Sequence, residues 1–491
     1  MQGIIIAGTH SGCGKTTITL GILSALKKKG LTVQSFKSGP DFIDAGLHRM
    51  ITGRPSRNLD LWMCGEEYVK ACFYEHSRDA DISIVEGVMG MYDGDFSTAK
   101  LSDVLDLPVI LIVDAYGMAE SAGAVVKGFA SYDLEYNNMR GVIFNRVASE
   151  RHYERLKNSV HDVPVLGYLP RDLNFEIPHR HLGLAVREEN PIAKENIERL
   201  TDTILKHVDI DRLMEDGRWK TEDGKRRMED GRWKMEDGKW KMEDGRKCQS
   251  VKAFTTSPLH HFTHRGSKPK IGIAYDRAFC FYYEDNLDLL KQAGAEIIEF
   301  SPLNDRNIPE ADAIYIGGGY PELYAERLSK NTSMLKAIYN WATSERPMYA
   351  ECGGLMYLSR GIHNFEGQFF KMAGVFPFET QMKKARTHLG YREIRLKEDC
   401  ILGKKGDKLR GHEFHYSEIK DSSQPAPQKI LRFFEDPEST VHSSLYAVKN
   451  NAGQNLPDEG YKFKNTLASY IHIHFGSNSN IAKSFISFIK E

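Results

Sequence analysis

Cys352 stands in RPMYAECGGLMYL, residues 346–358, between an apolar run and two glycines that open a second apolar run. A thiol on a strand-to-helix turn meets helix N–H groups and becomes a nucleophile once a base takes its proton. The glycines relieve crowding where the backbone bends, as in the elbows that present hydrolase nucleophiles. The base is expected from LASYIHIHFGS, where His472 and His474 lie two residues apart and face the same side of a strand. Periodicity does not choose between them. Gly317, Gly318 and Gly319 of IYIGGGYPE, with the N–H of Gly353, are the candidate donors to an oxyanion. A cysteine alone reads as a buried core thiol, but with a glycine triplet and a histidine strand it reads as an acyl-transfer nucleophile.

A second chemistry is written near the N-terminus. GTHSGCGKTT follows an apolar strand and opens a helix, the context of a phosphate-binding loop in which backbone N–H groups and the helix dipole favour anions. Gly8, Gly12 and Gly14 shape the loop, Lys15 reaches toward phosphates, and Thr16 and Thr17 start the helix. Five residues separate Gly8 from Gly14, one more than the common signature allows. A magnesium ion bound with ATP needs oxygen ligands, for which Thr16, Asp41 in FKSGPDFID and Glu86 in ISIVEGVMGMYDG are the candidates. Lys37 supplies a second cation for a transferring phosphoryl group. Any one of these acidic residues is otherwise a helix cap or turn residue.

These residues require elements to hold them. GIIIAG, LTVQSFK, ISIVEG, PVILIVDA and MRGVIFN alternate with helix-like stretches, which predicts an α/β fold with a mainly parallel, doubly wound sheet. The pattern restarts at KIGIAYD and runs through ADAIYIGGG and MYAECGG, so two domains are expected, residues 1–200 and 269–491. Between them, residues 201–268 read as a linker. Its seven-residue repeat over 214–247 carries a glycine in each unit, each costing about 1 kcal/mol in a helix, and its Met and Trp form no coiled-coil stripe. A solvated insertion is expected. His260, His261 and His264 read as exposed linker residues.

Composition narrows the partners. With 66 Lys and Arg against 67 Asp and Glu, the formal charge is −1, so no global field recruits nucleic acid or an anionic membrane. Seven cysteines form no Cys-x-x-Cys pair, which points to a reducing compartment and a cytoplasmic protein. No stretch is apolar enough to span a bilayer.

The long phosphate loop, Lys37 and VEG resemble the dethiobiotin-synthetase-like ATPases. SGPDFID, NLDLWM, EGVMGMYDG and RHLGL resemble the more particular form found in cobyrinic acid a,c-diamide synthases. IYIGGGYPELYAERL, AECGGLMYL, LRGHEFHYSE and SYIHIHF are similar to the class I glutamine amidotransferase domain of that branch. The resemblance implies a carbon–nitrogen ligase that uses ATP, Mg²⁺ and L-glutamine to amidate the a and c acetates of a tetrapyrrole, either cobyrinic acid or nickel-sirohydrochlorin. It implies that Asn145 faces the adenine, that Asp44 positions substrate, and that His472 is the base of a Cys–His dyad with His474 as alternative. Most class I members carry a glutamate two residues after the histidine, where this chain has His474, so the orienting group is unassigned. The assembly is left open, a homodimer included. Two other readings stand beside this one: a cobyric acid synthase acting on other side chains, and an ATP-driven switch that would not need Cys352.

Overall fold

Every residue of β1 (Gly3–Gly8) is buried, as a central strand covered on both faces must be. In this computed structural model the described residues are 3–133, 138–173, 175, 192–216, 268–384, 388–420 and 442–490, with two strands between 233 and 242 described as backbone. The remaining strands of the first sheet are β2 (Val33–Ser38), β3 (Arg57–Leu59), β4 (Ile82–Glu86), β5 (Val109–Asp114), β6 (Met139–Val147) and β7 (Val165–Pro170). All pairs are parallel in the order β3-β2-β4-β1-β5-β6-β7. The chain winds one way from β1 and then the other, so β4 and β5 flank it. The crevice at the carboxyl ends of these central strands is where such sheets bind ligands.

Helix α1 (Lys15–Lys28) leaves β1 through the phosphate loop, and α2 (Phe42–Thr52) follows β2. The ordered N-terminal unit continues beyond residue 200, the expected boundary. Helix α3 (Lys194–His207) lays Leu200 and Ile204 into the core shared with α1, where a side chain on Gly21 would stand 2.6 Å from Ile204 Cγ1. Helix α4 (Ile210–Asp216) adds the fully buried Leu213. The amphipathic spacing of these helices binds to the first core what the sequence reading placed in a linker. Within the repeat, β8 (Trp233–Glu236) and β9 (Lys239–Met242) pair antiparallel, with Trp233 opposite Met242 and Met235 opposite Trp240. His260, His261, His264 and the RHLGL stretch lie outside the described residues.

The chain divides into units Met1–His260 and His261–Glu491. The second unit holds a ten-stranded sheet. Its parallel half comprises β10 (Lys270–Ala274), β11 (Glu296–Phe300), β12 (Ala313–Ile316), β13 (Met348–Glu351) and, returning later in the chain, β22 (Thr466–Ser469). A small sheet of β14 (Gly361–His363), β15 (Phe369–Lys371), β16 (Glu379–Met382) and β19 (Ser417–Lys420) is separate. Strands β17 (His388–Leu396), β18 (Lys408–His415), β20 (His442–Asn450), β21 (Glu459–Phe463) and β23 (His472–Ile473) complete the large sheet by antiparallel pairing. The order is β11-β10-β12-β13-β22-β21-β20-β17-β18-β23. Alternation divides the core: Ile314, Ile316, Met348 and Ala350 join one cluster, while Tyr315 and Tyr349 join the other. Among the described residues, no helix is long and apolar enough to cross a membrane.

Candidate active sites

In the first unit, parallel register sets Lys37 of β2 beside Glu86 of β4, and Ile6 of β1 on the other flank of Glu86. The Lys37 Nζ lies 3.1 Å from Glu86 Oε1 and 2.8 Å from Asp44 Oδ2. Thr16 at the start of α1 donates its hydroxyl to Glu86 Oε1 at 2.7 Å. His48 of α2 reaches the other oxygen, Oε2, at 2.7 Å, and its Nδ1 lies 3.3 Å from Ser56 Oγ. Burial opposes the charge on Glu86, but Lys37 and His48 more than offset it, so its acidity lies well above that of an ordinary carboxyl. Burial likewise works against Lys37, and the Glu86 and Asp44 carboxylates overcome it to hold the ammonium charged. Asp44 is pushed up to about 6 by burial, with Lys37 opposing the rise.

Gly12 and Gly14 both take positive φ, +87° and +101°. Gly14 has a further constraint, because a Cβ there would collide with the Asn145 amide, whose Nδ2 donates to the Cys13 carbonyl at 2.9 Å. Asn145 thus fastens the phosphate loop to β6, a use distinct from the adenine contact that the resemblance implies. Lys15 Nζ donates to the Met89 carbonyl at 2.5 Å and the His10 carbonyl at 3.3 Å, and burial lowers its pKa. Asp41 is the N-cap of α2, its Oδ1 accepting from Ile43 N at 2.9 Å and Asp44 N at 3.0 Å. Thr16, Glu86 and Asp41 offer hard oxygen atoms only, the donor set that suits Mg²⁺, and the Thr16–Glu86 contact places two of those oxygens side by side.

In the second unit, Cys352 has φ +48° and ψ −103°, a conformation costly for a residue with a Cβ. It sits between β13 and helix α5 (Gly353–Leu358), and its N–H donates to the Ser469 carbonyl of β22 at 2.7 Å. Only 5% of it is exposed. Burial pushes its thiol well up, the charges of Glu322, Glu413 and Glu351 add to the rise, and the Gly353 amide opposes it. A thiol in such surroundings becomes a nucleophile only once a base takes its proton.

The two histidines separate. His472 Nδ1 lies 3.6 Å from Glu351 Oε2, its ring stacks on His412 at 4.9 Å and 14°, and a Cβ on Gly318 would strike its Cε1. His474 instead caps the turn that follows, its Nδ1 accepting from Gly476 N at 3.0 Å while Nε2 lies 3.8 Å from Asp285. The glycine triplet also divides its work. The Gly318 N–H donates to the Phe281 carbonyl at 3.2 Å, and the Gly317 N–H to the Tyr282 hydroxyl at 2.7 Å. Gly318 therefore makes room for His472, while its own N–H, expected as an oxyanion donor, is directed to Phe281. The backbones of Gly319 and Gly353 approach closely: a Cβ on Gly353 would stand 3.1 Å from Gly319 N. LRGHEFHYSE supplies Glu413, held by Arg392 Nε at 2.7 Å and by His415 Nε2 at 2.8 Å.

His48 and Glu351 escaped sequence reasoning. Glu351 left a signal, since an acidic residue ending a buried strand beside a nucleophile has no packing reason to be there.

Residues 4–184 match the CobQ/CobB/MinD/ParA nucleotide-binding domain family, and residues 270–480 match the CobB/CobQ-like glutamine amidotransferase domain family. The cobyrinate a,c-diamide synthase of Caldanaerobacter subterraneus subsp. tengcongensis is 40% identical over 491 residues, covering 98% of this chain and 97% of its own. Those of Listeria monocytogenes, at 40% identity over 97% of both chains, and Syntrophotalea carbinolica, at 39% over 99% and 98%, are similar to the same extent. A phosphate loop closed by Lys37 and Glu86, a cysteine elbow in a second sheet, and this identity along the whole chain lead to one conclusion: the chain belongs to the cobyrinate a,c-diamide synthase family of glutamine-dependent, amide-forming ligases.

Proposed function

We propose that the protein converts the a and c acetate carboxylates of a tetrapyrrole into amides, using ATP and glutamine, with cobyrinate, nickel-sirohydrochlorin or both as substrate in cobalamin or nickel tetrapyrrole coenzyme synthesis. One observation carries this reading. The same chain holds a phosphate loop with a buried Lys37–Glu86–Thr16 cluster and a cysteine elbow in the same unit as a buried histidine–carboxylate pair, with the Gly319 and Gly353 backbones close together.

A carboxylate resists ammonia because its leaving group would be oxide. Transfer of the ATP γ-phosphoryl group to the carboxylate oxygen, with ADP leaving, makes an acyl phosphate from which ammonia displaces phosphate. Lys15 exchanges its two carbonyl partners for phosphate oxygens, and Lys37 adds positive charge where the phosphoryl group passes. Thr16, Glu86 and Asp41 would hold Mg²⁺, which neutralises phosphate charge when bound. Asp44, on the first turn of α2, orients the substrate from beside Lys37.

Ammonia comes from the other unit. His472 takes the Cys352 proton as sulfur attacks the glutamine amide carbon, and returns it to the departing nitrogen. Gly319 and Gly353 amides receive the oxyanion, and water then cleaves the thioester to glutamate. The co-substrates belong to the cytoplasm, which supports a cytoplasmic site of action, and a homodimer is the assembly we would test for by light scattering.

The test is a parallel assay with Mg-ATP and glutamine on cobyrinic acid and on nickel-sirohydrochlorin, reading products by mass spectrometry. A diamide from either assigns the substrate. Amidation only at other side chains would move the protein to the cobyric acid synthase type of activity, and no product from any tetrapyrrole would overturn the reading.

A further inference from the structure

Glu351 precedes the nucleophile and ends β13, with 1% of its surface exposed. Its carboxylate is fixed on three sides. Oε1 accepts from the Tyr349 hydroxyl at 2.6 Å and from the Ile473 N–H at 3.0 Å, and Oε2 accepts from the Tyr315 hydroxyl at 2.9 Å. The Ile473 contact is telling, because it ties the carboxylate to the backbone of the residue next to His472. Burial, and then the Glu351 charge, raise both tyrosines well above their ordinary range, so both remain donors.

The histidine is boxed in by what surrounds it. Glu351 Oε2 lies on its Nδ1 side at 3.6 Å, His412 covers a ring face, and Gly318 leaves space at Cε1. A proton held on Nδ1 toward a carboxylate leaves Nε2 with the lone pair a general base requires. The same carboxylate stabilises the imidazolium that forms when the thiol is deprotonated.

We propose that Glu351 is the positioning residue of His472, supplied from the strand that carries the nucleophile. This rests on the reading of His472 as the base. Nucleophile and orienting carboxylate are then adjacent in sequence, and a shift of β13 moves both together.

The test compares the full-length protein with Glu351→Gln in two reactions: glutaminase over a range of pH, and ammonium-supported synthesis. Glutamine kcat should fall roughly 10–100-fold with KM nearly unchanged, and ammonium-supported synthesis should be retained. The acidic limb of the glutaminase profile should move to lower pH by about one unit, because the imidazolium loses its counter-charge. Unchanged kcat and an unmoved limb would overturn the proposal, as would equal loss of both reactions in a folded protein, which marks a merely structural role. If Glu351→Gln does not fold, Tyr315→Phe with Tyr349→Phe loosens the carboxylate while leaving it in place. That pair should lower glutamine kcat several-fold at constant KM, and no change in kcat would equally overturn the proposal. His472→Ala separates the two claims: full glutaminase there removes the base assignment, whatever Glu351 does.

Discussion

Lys37 and Asp44 form a buried ion pair at 2.8 Å, with 4% and 10% of their side chains exposed, at the start of the helix that also carries His48. Glu86 is Lys37's second partner, so one ammonium compensates two carboxylates. Lys37→Met leaves Asp44 without its cation and Glu86 with His48 and Thr16 alone, a loss of about 3–5 kcal/mol for a buried charge stripped of its partner. Denaturant unfolding should show that loss, and ATP-dependent synthesis should disappear while glutaminase persists. A variant as stable as the parent would mean that the pair contributes nothing.

Cys352→Ala should reduce glutamine-dependent amidation by at least about 1,000-fold, with ammonium salts still supporting synthesis. The measurement is product formation with each nitrogen source at one ATP concentration. Loss of both activities would assign the cysteine a structural role.

The histidine pair should behave unequally. His472→Ala is expected to lower glutaminase kcat by about 100-fold or more. His474→Ala removes the cap on Gly476 and costs about 1 kcal/mol of stability, with less than a 10-fold effect on kcat. Reversed magnitudes would transfer the base to His474.

Stability should fall with rising pH through Glu459. Burial pushes this carboxyl up to about 8 from 4.5, against the hydrogen bonds it receives from the Ser469 hydroxyl and the Tyr470 N–H. Because the folded value is the higher one, the contribution is whole below pH 4.5 and is lost as pH rises through 8. Glu459→Gln should flatten that part of the curve, by an amount on the order of 4 kcal/mol at most. Thermal melts of the two proteins between pH 5 and about 9 check it, and parallel curves would refute it.

Removing residues 217–247 should leave synthesis within about two-fold of the parent, because the packed part of α4 ends with Leu213 and Met214. A folded deletion variant without activity would give the repeat a catalytic part.

What was legible in the sequence was whatever obeys local rules. The strand–loop–helix spacing around Lys15 and the elbow at Cys352 each follow from neighbouring residues, and both took the expected form. The choice between His472 and His474 was not legible, because strand periodicity treats them alike. What separates them is a turn starting at His474 and a carboxylate 122 residues away along the chain from Ile473, the kind of contact only tertiary structure supplies. Gly318 shows the same limit: the sequence suggested a bare N–H for an oxyanion, whereas in the fold that N–H goes to Phe281 and the missing side chain leaves space for an imidazole. The packing of residues beyond 200 on the first core was not legible for a similar reason, since nothing local tells that α3 docks on α1.

The convergence on Glu86 has a consequence for how such a site can change. Thr16, Lys37 and His48 arrive from three different elements and share the two oxygens of one carboxylate. None of the three can be exchanged without disturbing the other two. A phosphate loop grafted into another scaffold together with Glu86 but without the lysine and histidine would carry an acid with no counterweight, and lineages that alter one of these positions should be found to have altered its companions as well.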